Sequence, residues 1–193
     1  MSNVPIKDAA TIILVRNPED QPRVLMGQRG SAAAFMPDKF VFPGGAVDPG
    51  DAAVPLSGPI SEPCASRLMD ARQPRSDVDA NALVAAAIRE LWEEAGLVLG
   101  RAGQWPGRVP PCWRSFAATG HVPDGSALRF VFRAITPAGR PRRFDARFLV
   151  ADARALATDP DDFTAATDEL SHLQWVDLKE ARSFDLPFIT EVV

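Results

Sequence analysis

A mixed β-sheet with helices packed against it, an α+β arrangement, is the architecture expected of this 193-residue chain. Short strand-like runs recur towards both ends of the sequence and one amphipathic helix lies between them. The two kinds of segment do not follow a regular βαβ rhythm, which argues for a mixed sheet rather than a doubly wound one. With 46% hydrophobic residues the chain has the apolar content of a globular protein, and its length suits one sizeable core, hence one domain over residues 1–193.

Taken in order, 10–16 (Ala-Thr-Ile-Ile-Leu-Val-Arg) and 23–29 are rich in branched or long apolar residues and flank Asn17-Pro18-Glu19-Asp20-Gln21-Pro22, so they read as two strands and a turn. Phe40-Val41-Phe42 is a third short strand, and the glycines of Pro43-Gly44-Gly45, with their wide conformational freedom, open a loop. From Asp51 to about Ala80 the composition shifts to Pro, Ser, Ala and Asp, which has the look of an insertion at about 52–80; a short helix near 63–71 and a mobile lid are both compatible with it. Val84, Ile88, Leu91 and Ala95 recur at helical period. Asp79 or Asn81 is placed to cap that helix, and Gly96 to end it. Residues 97–127 look irregular, with Trp105 and Trp113 as packing residues. Strand character returns at 128–134 and 143–151, where Phe144, Ala146, Phe148 and Val150 alternate with Arg143, Asp145 and Arg147, predicting one buried and one polar face. A last strand, 173–176, leads to Asp177 as cap for a helix through 178–182.

A net charge of −4 argues against general affinity for nucleic acid or anionic membrane, although Arg140, Arg142 and Arg143 form a local basic cluster. Residues 1–10 carry Lys7 and Asp8 and no long apolar run, so neither a secretory signal nor a membrane span is expected. Two cysteines far apart suit a reducing compartment, and the expected location is cytoplasmic. The chain stops at Val193 soon after an apolar run, an ending that leaves room for a further C-terminal tail.

The chemistry concentrates in Arg89-Glu90-Leu91-Trp92-Glu93-Glu94-Ala95-Gly96-Leu97. Positions three and four apart on a helix are neighbours, so Glu90 lies beside Glu93 and Glu94, and like charges at that spacing repel. A solvated acidic face would ordinarily carry Lys or Arg one turn on, yet positions 97 and 98 are Leu and Val. With the apolar stripe turned to the core, the acids are expected to face a cleft or water. All-carboxylate ligation favours a hard, oxygen-seeking cation, Mg²⁺ or Mn²⁺, over zinc, because His121, His172, Cys64 and Cys112 show no paired metal-ligand spacing.

Gly45-x5-Asp51 followed by Arg89-Glu90-Leu91-x-Glu93-Glu94-x-Gly96-Leu97 resembles the Nudix box, G-x5-E-x7-R-E-U-x-E-E-x-G-U with U a bulky aliphatic residue, and Phe42-Pro43-Gly44-Gly45 resembles its usual entry. The helical half matches at every specified position. Two departures stand out: Asp51 replaces the longer glutamate, and residues 52 to 88 occupy 37 positions where the family has seven, an excess of 30. Such lengthening is tolerable because loop-closure entropy grows slowly with length. The peroxisomal coenzyme A diphosphatases have their box opened at the same place, and Phe35-Met36-Pro37, Ile135-Thr136-Pro137 and Pro141-Arg142-Arg143-Phe144-Asp145-Ala146-Arg147-Phe148 resemble stretches of that branch.

This resemblance implies an α/β/α sandwich, a mixed β-sheet flanked by helices, and hydrolysis of a nucleoside diphosphate derivative. Glu90, Glu93 and Glu94, with the Gly44 carbonyl, would hold the divalent ion, and Arg89 would orient Glu90. Glu169 is the expected general base or extra ligand, with Asp168 and His172 as competitors. Arg29, Arg140, Arg142 and Arg143 are candidate contacts to substrate phosphates, among them the 3′-phosphate of coenzyme A, against the alternative of solvated surface arginines. Coenzyme A or acyl-CoA would yield 3′,5′-ADP and 4′-phosphopantetheine or its acyl form. ADP-ribose, another ADP-sugar, NADH, a dinucleotide or a damaged nucleotide are alternatives, as is a Nudix module that senses a ligand without turning it over. The sequence leaves open whether 52–80 covers the substrate, joins a homodimer interface or stays disordered.

Overall fold

The computed structural model describes residues 4–31, 36–70 and 78–193, so Phe35 and the Ala71 end of the short helix expected in the 52–80 segment lie outside it. Nine strands are named among the described residues: β1 Ile6–Arg16, β2 Arg23–Arg29, β3 Phe40–Val41, β4 Gly44–Ala46, β5 Gly100–Ala102, β6 His121–Pro123, β7 Arg129–Ile135, β8 Arg143–Asp152 and β9 Leu170–Asp177. Helices α1 (Glu62–Leu68), α2 (Ala80–Ala95), α3 (Arg114–Ala117) and α4 (Phe188–Val192) accompany them. Seven strands form one mixed sheet in the order β3-β2-β1-β8-β7, with β4 also on β1 and β9 on β2. Strand β1 runs parallel to β8, and its other pairings, with β2 and β4, are antiparallel.

Both faces of β1 are buried, which is why its apolar residues run on without polar alternation. Ala10, Ile12 and Leu14 join the larger core with Leu83, Ile88 and Leu91 of α2, while Ile13 joins a second core with Met26, Phe148 and Val176. Helix α2 starts where the Asp79 side chain accepts from Ala82 N at 2.7 Å, and it stops at Gly96, whose φ of 70° suits glycine. The segment after Asp51 is packed into the main core, where Val54, Ile60, Cys64 and Leu68 are all buried. Among the described residues no helix is long and apolar enough to cross a membrane.

Several expectations change. Gly44 and Gly45 lie in a strand on β1, not in a loop, and neither has a positive φ. In β8 both faces are covered: Asp145 and Arg147, expected on a polar face, are 5% and 1% exposed, Phe148 on the other face is 4% exposed, and Phe144, Ala146 and Val150 are half-buried. Mutual neutralisation permits it, since Arg147 pairs with Asp8 and Asp145, and Asp145 accepts from Arg133 Nε at 2.7 Å. Residues 97–127 hold a two-stranded sheet of β5 and β6, short turns and α3. The helix expected at 178–182 is replaced by turns and a 3-10 turn at Ala181–Ser183, because Asp177 caps Lys179 N and the chain closes by three-residue steps, Glu180 N to Asp177 O and Ser183 N to Glu180 O.

Candidate functional site

The last two turns of α2 carry Arg89, Glu90, Glu93 and Glu94 against β4 and the 3-10 turn Pro49–Ala53. Of the two settings expected, a cleft or water, open water is not where they lie: Arg89 is 5%, Glu90 8% and Glu94 1% exposed, and Glu93 is half-buried. The neutralising charge is Arg89. Its Nε and Nη2 donate to Asp51 Oδ1 (3.0 Å) and Oδ2 (3.1 Å), Nη2 also to the Ala46 carbonyl (2.9 Å), and Nη1 to Glu90 Oε1 (2.8 Å) and Glu93 Oε2 (2.9 Å). Those contacts use all five guanidinium N–H groups, so a lysine with three donors could not replace it.

Arg89 does not touch Glu94. Glu94 Oε2 accepts from Gly44 N at 2.8 Å, and its Oε1 is buried with no hydrogen-bond partner. The two glycines make this approach possible through space rather than torsion. A Cβ on Gly45 would lie 2.5 Å from Glu90 Oε1, and one on Gly44 would lie 2.7 Å from the Ala10 carbonyl. Consecutive residues of β4 therefore seat the carboxylates of Glu90 and Glu94 side by side.

Protonation follows from this crowding. Burial pushes the Glu90 pKa up to about 7, with Arg89 opposing and Glu93 and Glu169 reinforcing the rise. Glu94 is raised well above its ordinary value by burial and the Glu90 charge, against the Gly44 N–H. Glu93 is raised too, chiefly by burial, and Arg89 opposes this. Burial alone would lower the pKa of Arg89, but the Asp51 hydrogen bond and the surrounding acids outweigh it and hold the pKa above its ordinary value.

Glu169 stands at the edge of this group, near enough for its charge to raise Glu90, Glu93 and Glu94 alike. Thr167 N donates to the Glu93 carbonyl at 2.8 Å, pinning the loop before Glu169 to the helix end, and Arg29 Nη2 donates to Glu169 Oε1 at 3.2 Å. Arg29 Nε is buried and unpartnered. Arg140 and Arg142 are exposed at the β7–β8 turn, and Arg143 donates to the Thr136 carbonyl. Arg143 faces Ile6 across β1–β8 whereas Gly44 faces Thr11, about 17 Å further along the strand. Of the four arginines, Arg29 is the one brought to the acids. His172 is exposed with φ 51° at an irregularity of β9, and Asp168 is exposed beside Glu169.

Two residues outside the expected set belong to the site. Asp51, which stands where the box has a longer glutamate, is fully buried and accepts from Arg89, Asp48 N and Trp113 Nε1. The motif position itself was the signal for Asp51; no spacing in the sequence links Trp113 to it.

Among the described residues no three acids, histidines or cysteines already enclose a point where an ion would sit. The donor set nonetheless fits a hard divalent cation. It comprises the unpartnered Oε1 of Glu94 and the second oxygens of Glu90 and Glu93, which lie outside the Arg89 contact.

No protein-family model matches the chain. A Caenorhabditis elegans protein described as putative nudix hydrolase 7 is 31% identical over 186 residues; the match covers 90% of this chain and 52% of that protein, so the chain spans about half the length of this relative. The crystal structure of a Nudix hydrolase from Alicyclobacillus acidocaldarius superposes with a TM-score of 0.69 at 26% identity, covering 98% of this chain and 89% of that one. The Nudix domain of Shewanella oneidensis NrtR, crystallised with ADP-ribose, shares the fold at a TM-score of 0.53 and 13% identity, over 97% and 83% of the two chains. With the box residues gathered at the end of α2 and this likeness running along nearly its whole length, the chain belongs to the Nudix hydrolase superfamily.

Proposed function

We propose that the chain is a divalent-cation-dependent hydrolase of the diphosphate linkage in a nucleoside diphosphate derivative, with coenzyme A or an acyl-CoA as substrate and Mg²⁺ or Mn²⁺ as the ion. The observation that carries this reading is Glu94 Oε1, a buried carboxylate oxygen with no partner, beside two further glutamates that a saturated arginine holds in place. A structural ion-pair cluster would have no use for an orphaned acid, whose burial costs free energy unless something else binds it.

In this reading Glu90, Glu93 and Glu94, with the Gly44 carbonyl, hold the ion. When bound, it supplies positive charge against the diphosphate and acidifies water. Arg89 keeps Glu90 and Glu93 oriented without competing for Glu94. Glu169, exposed and tethered by Arg29, takes a proton from the attacking water as general base. Arg29, held beside Glu169 through its Nη2, brings positive charge to face a substrate phosphate. Arg140, Arg142 and Arg143 would meet only the far end of an extended substrate.

The test is a panel of coenzyme A, acetyl-CoA, ADP-ribose, NADH and dinucleotides with Mg²⁺ or Mn²⁺, products separated by chromatography. Conversion of coenzyme A to 3′,5′-ADP and 4′-phosphopantetheine supports the full reading. Preference for ADP-ribose or NADH keeps the hydrolase and replaces the substrate; binding without turnover points to a sensing module.

A further inference from the structure

Trp113 is the bulkiest of the fully buried side chains, yet it is not simply a packing residue. Its indole Nε1–H donates to Asp51 Oδ1 at 2.8 Å inside the protein. It ends the 3-10 turn Pro111–Trp113, and the neighbouring Cys112 Sγ donates to Asp48 Oδ1 at 3.3 Å. Asp48 in turn caps the turn that bears Asp51 and receives the Asp51 carboxylate on its own N–H at 2.8 Å. One segment therefore grips the 48–51 turn at two points.

The carboxylate of Asp51 is saturated. Oδ1 accepts from Arg89 Nε and Trp113 Nε1, and Oδ2 from Arg89 Nη2 and Asp48 N. Arg89 is saturated as well, and its remaining donors run to Glu90 and Glu93. A continuous chain of hydrogen bonds thus leads from the indole through Asp51 and Arg89 to two of the three acids. Where the Nudix box has a glutamate, this chain has the shorter Asp51, and the indole edge occupies the space beside its Oδ1.

We propose that Trp113 is a positioning residue for the metal-binding acids: with Asp51 it fixes the plane of the Arg89 guanidinium, and through Arg89 the placement of Glu90 and Glu93. The pair Asp51 and Trp113 together do the work of a longer acid at position 51. This rests on the hydrolase reading above, because the acids matter only if they hold an ion.

The measurement is Mn²⁺ affinity of the purified chain by titration for the wild type, Trp113→Phe, Asp51→Glu and the double variant, each checked for cooperative unfolding. Removing a group bonded directly to a metal ligand typically weakens affinity by about 10- to 100-fold; Trp113 acts two residues further back, so Trp113→Phe is expected to weaken it by about 3- to 10-fold although the ring still fills the core. Asp51→Glu alone also weakens binding, because the added methylene meets the indole. The double variant binds more tightly than either single one, since the smaller ring makes room for the longer acid. A folded Trp113→Phe with wild-type affinity, or additive losses in the double variant, overturns the proposal. If Trp113→Phe does not fold, the assigned indole ¹⁵N–¹H signals of the wild type decide. On Mg²⁺ addition the Trp113 signal is expected to move while that of Trp175, bonded to the Pro160 carbonyl, stays; an unmoved Trp113 signal overturns it. Wild-type protein that binds neither ion overturns the hydrolase reading itself and this proposal with it, whereas wild-type binding matched by Trp113→Phe overturns this proposal alone.

Discussion

Asp51 and Arg89 lie 38 residues apart in sequence and meet inside the protein as a bidentate pair, Nε to Oδ1 at 3.0 Å and Nη2 to Oδ2 at 3.1 Å. The pair ties the 3-10 turn Pro49–Ala53 to α2, and Arg89 passes the constraint on to Glu90 and Glu93. A surface ion pair would contribute little. This one is buried on both sides, so removing either member leaves the other charge uncompensated.

Arg89→Lys is therefore expected to be disruptive despite keeping the charge. An ammonium group can serve at most three of the five acceptors that Arg89 serves now. The loss should be about 3 kcal/mol in urea unfolding, in line with breaking a buried pair. Turnover should fall at least as steeply, because Glu90 and Glu93 lose their tether. Wild-type stability in this variant would contradict the network.

Glu94→Gln separates function from stability. The wild-type side chain carries a buried oxygen with no partner and a pKa raised by burial, so the charged form is costly at pH 8. A neutral glutamine of the same shape avoids that cost. Thermal unfolding without divalent ions should show the variant at least as stable as the wild type, while divalent-dependent turnover drops by about two orders of magnitude or more, the trade-off expected of a strained site.

Gly45→Ala tests the close approach of strand and helix. The new Cβ would stand 2.5 Å from Glu90 Oε1, so either β4 or the carboxylate must shift. Overpacking of this kind costs about 1–3 kcal/mol, and chemical denaturation together with an Mn²⁺ titration should show both lower stability and weaker binding. Unaltered metal affinity would mean that Glu90 tolerates displacement.

The pH dependence has a definite sign. Glu90 rises from 4.5 to about 7 on folding, so between those values the folded protein holds a proton that the unfolded chain has lost. The stabilisation from protonated Glu90 is complete below about pH 4.5 and disappears as the pH climbs through 7, a span worth about 3 kcal/mol. Glu93 and Glu94 shift in the same direction. Without divalent ions this cluster should lower the melting temperature between pH 5 and pH 8. Adding Mg²⁺ or Mn²⁺ should stabilise more at pH 8 than at pH 5, since the ion binds the ionised acids. A stabilisation by metal that is equal at both pH values would count against ionisable ligands.

What the sequence disclosed and what it hid divide along locality. Helix α2 was legible because its stripe, its Asp79 cap and its Gly96 stop are all local signals, and the acids of its last turns came with them. Their burial was not legible, because the partner that makes it tolerable, Asp51, is remote in sequence, and the backbone that closes over them belongs to β4. The glycines of β4 carried a real signal with the wrong mechanism attached: the need is space against Glu90, not a left-handed torsion. The charged face of β8 misled for a similar reason, since alternation reports which residues share a face but not that Arg133, Asp145, Arg147 and Asp8 neutralise one another in the interior. Trp113 gave no warning of its role, because a tryptophan that packs and one that also donates to a buried acid look the same in a sequence.

The most direct test of the central claim, that these carboxylates are assembled to hold a divalent cation, is an Mn²⁺ titration followed by electron paramagnetic resonance at pH 8, on the wild type and on a folded variant carrying Glu93→Gln and Glu94→Gln. Saturable binding by the wild type that is lost in the double variant is the predicted result. No saturable binding by the wild type, or equal binding by both proteins, would contradict it.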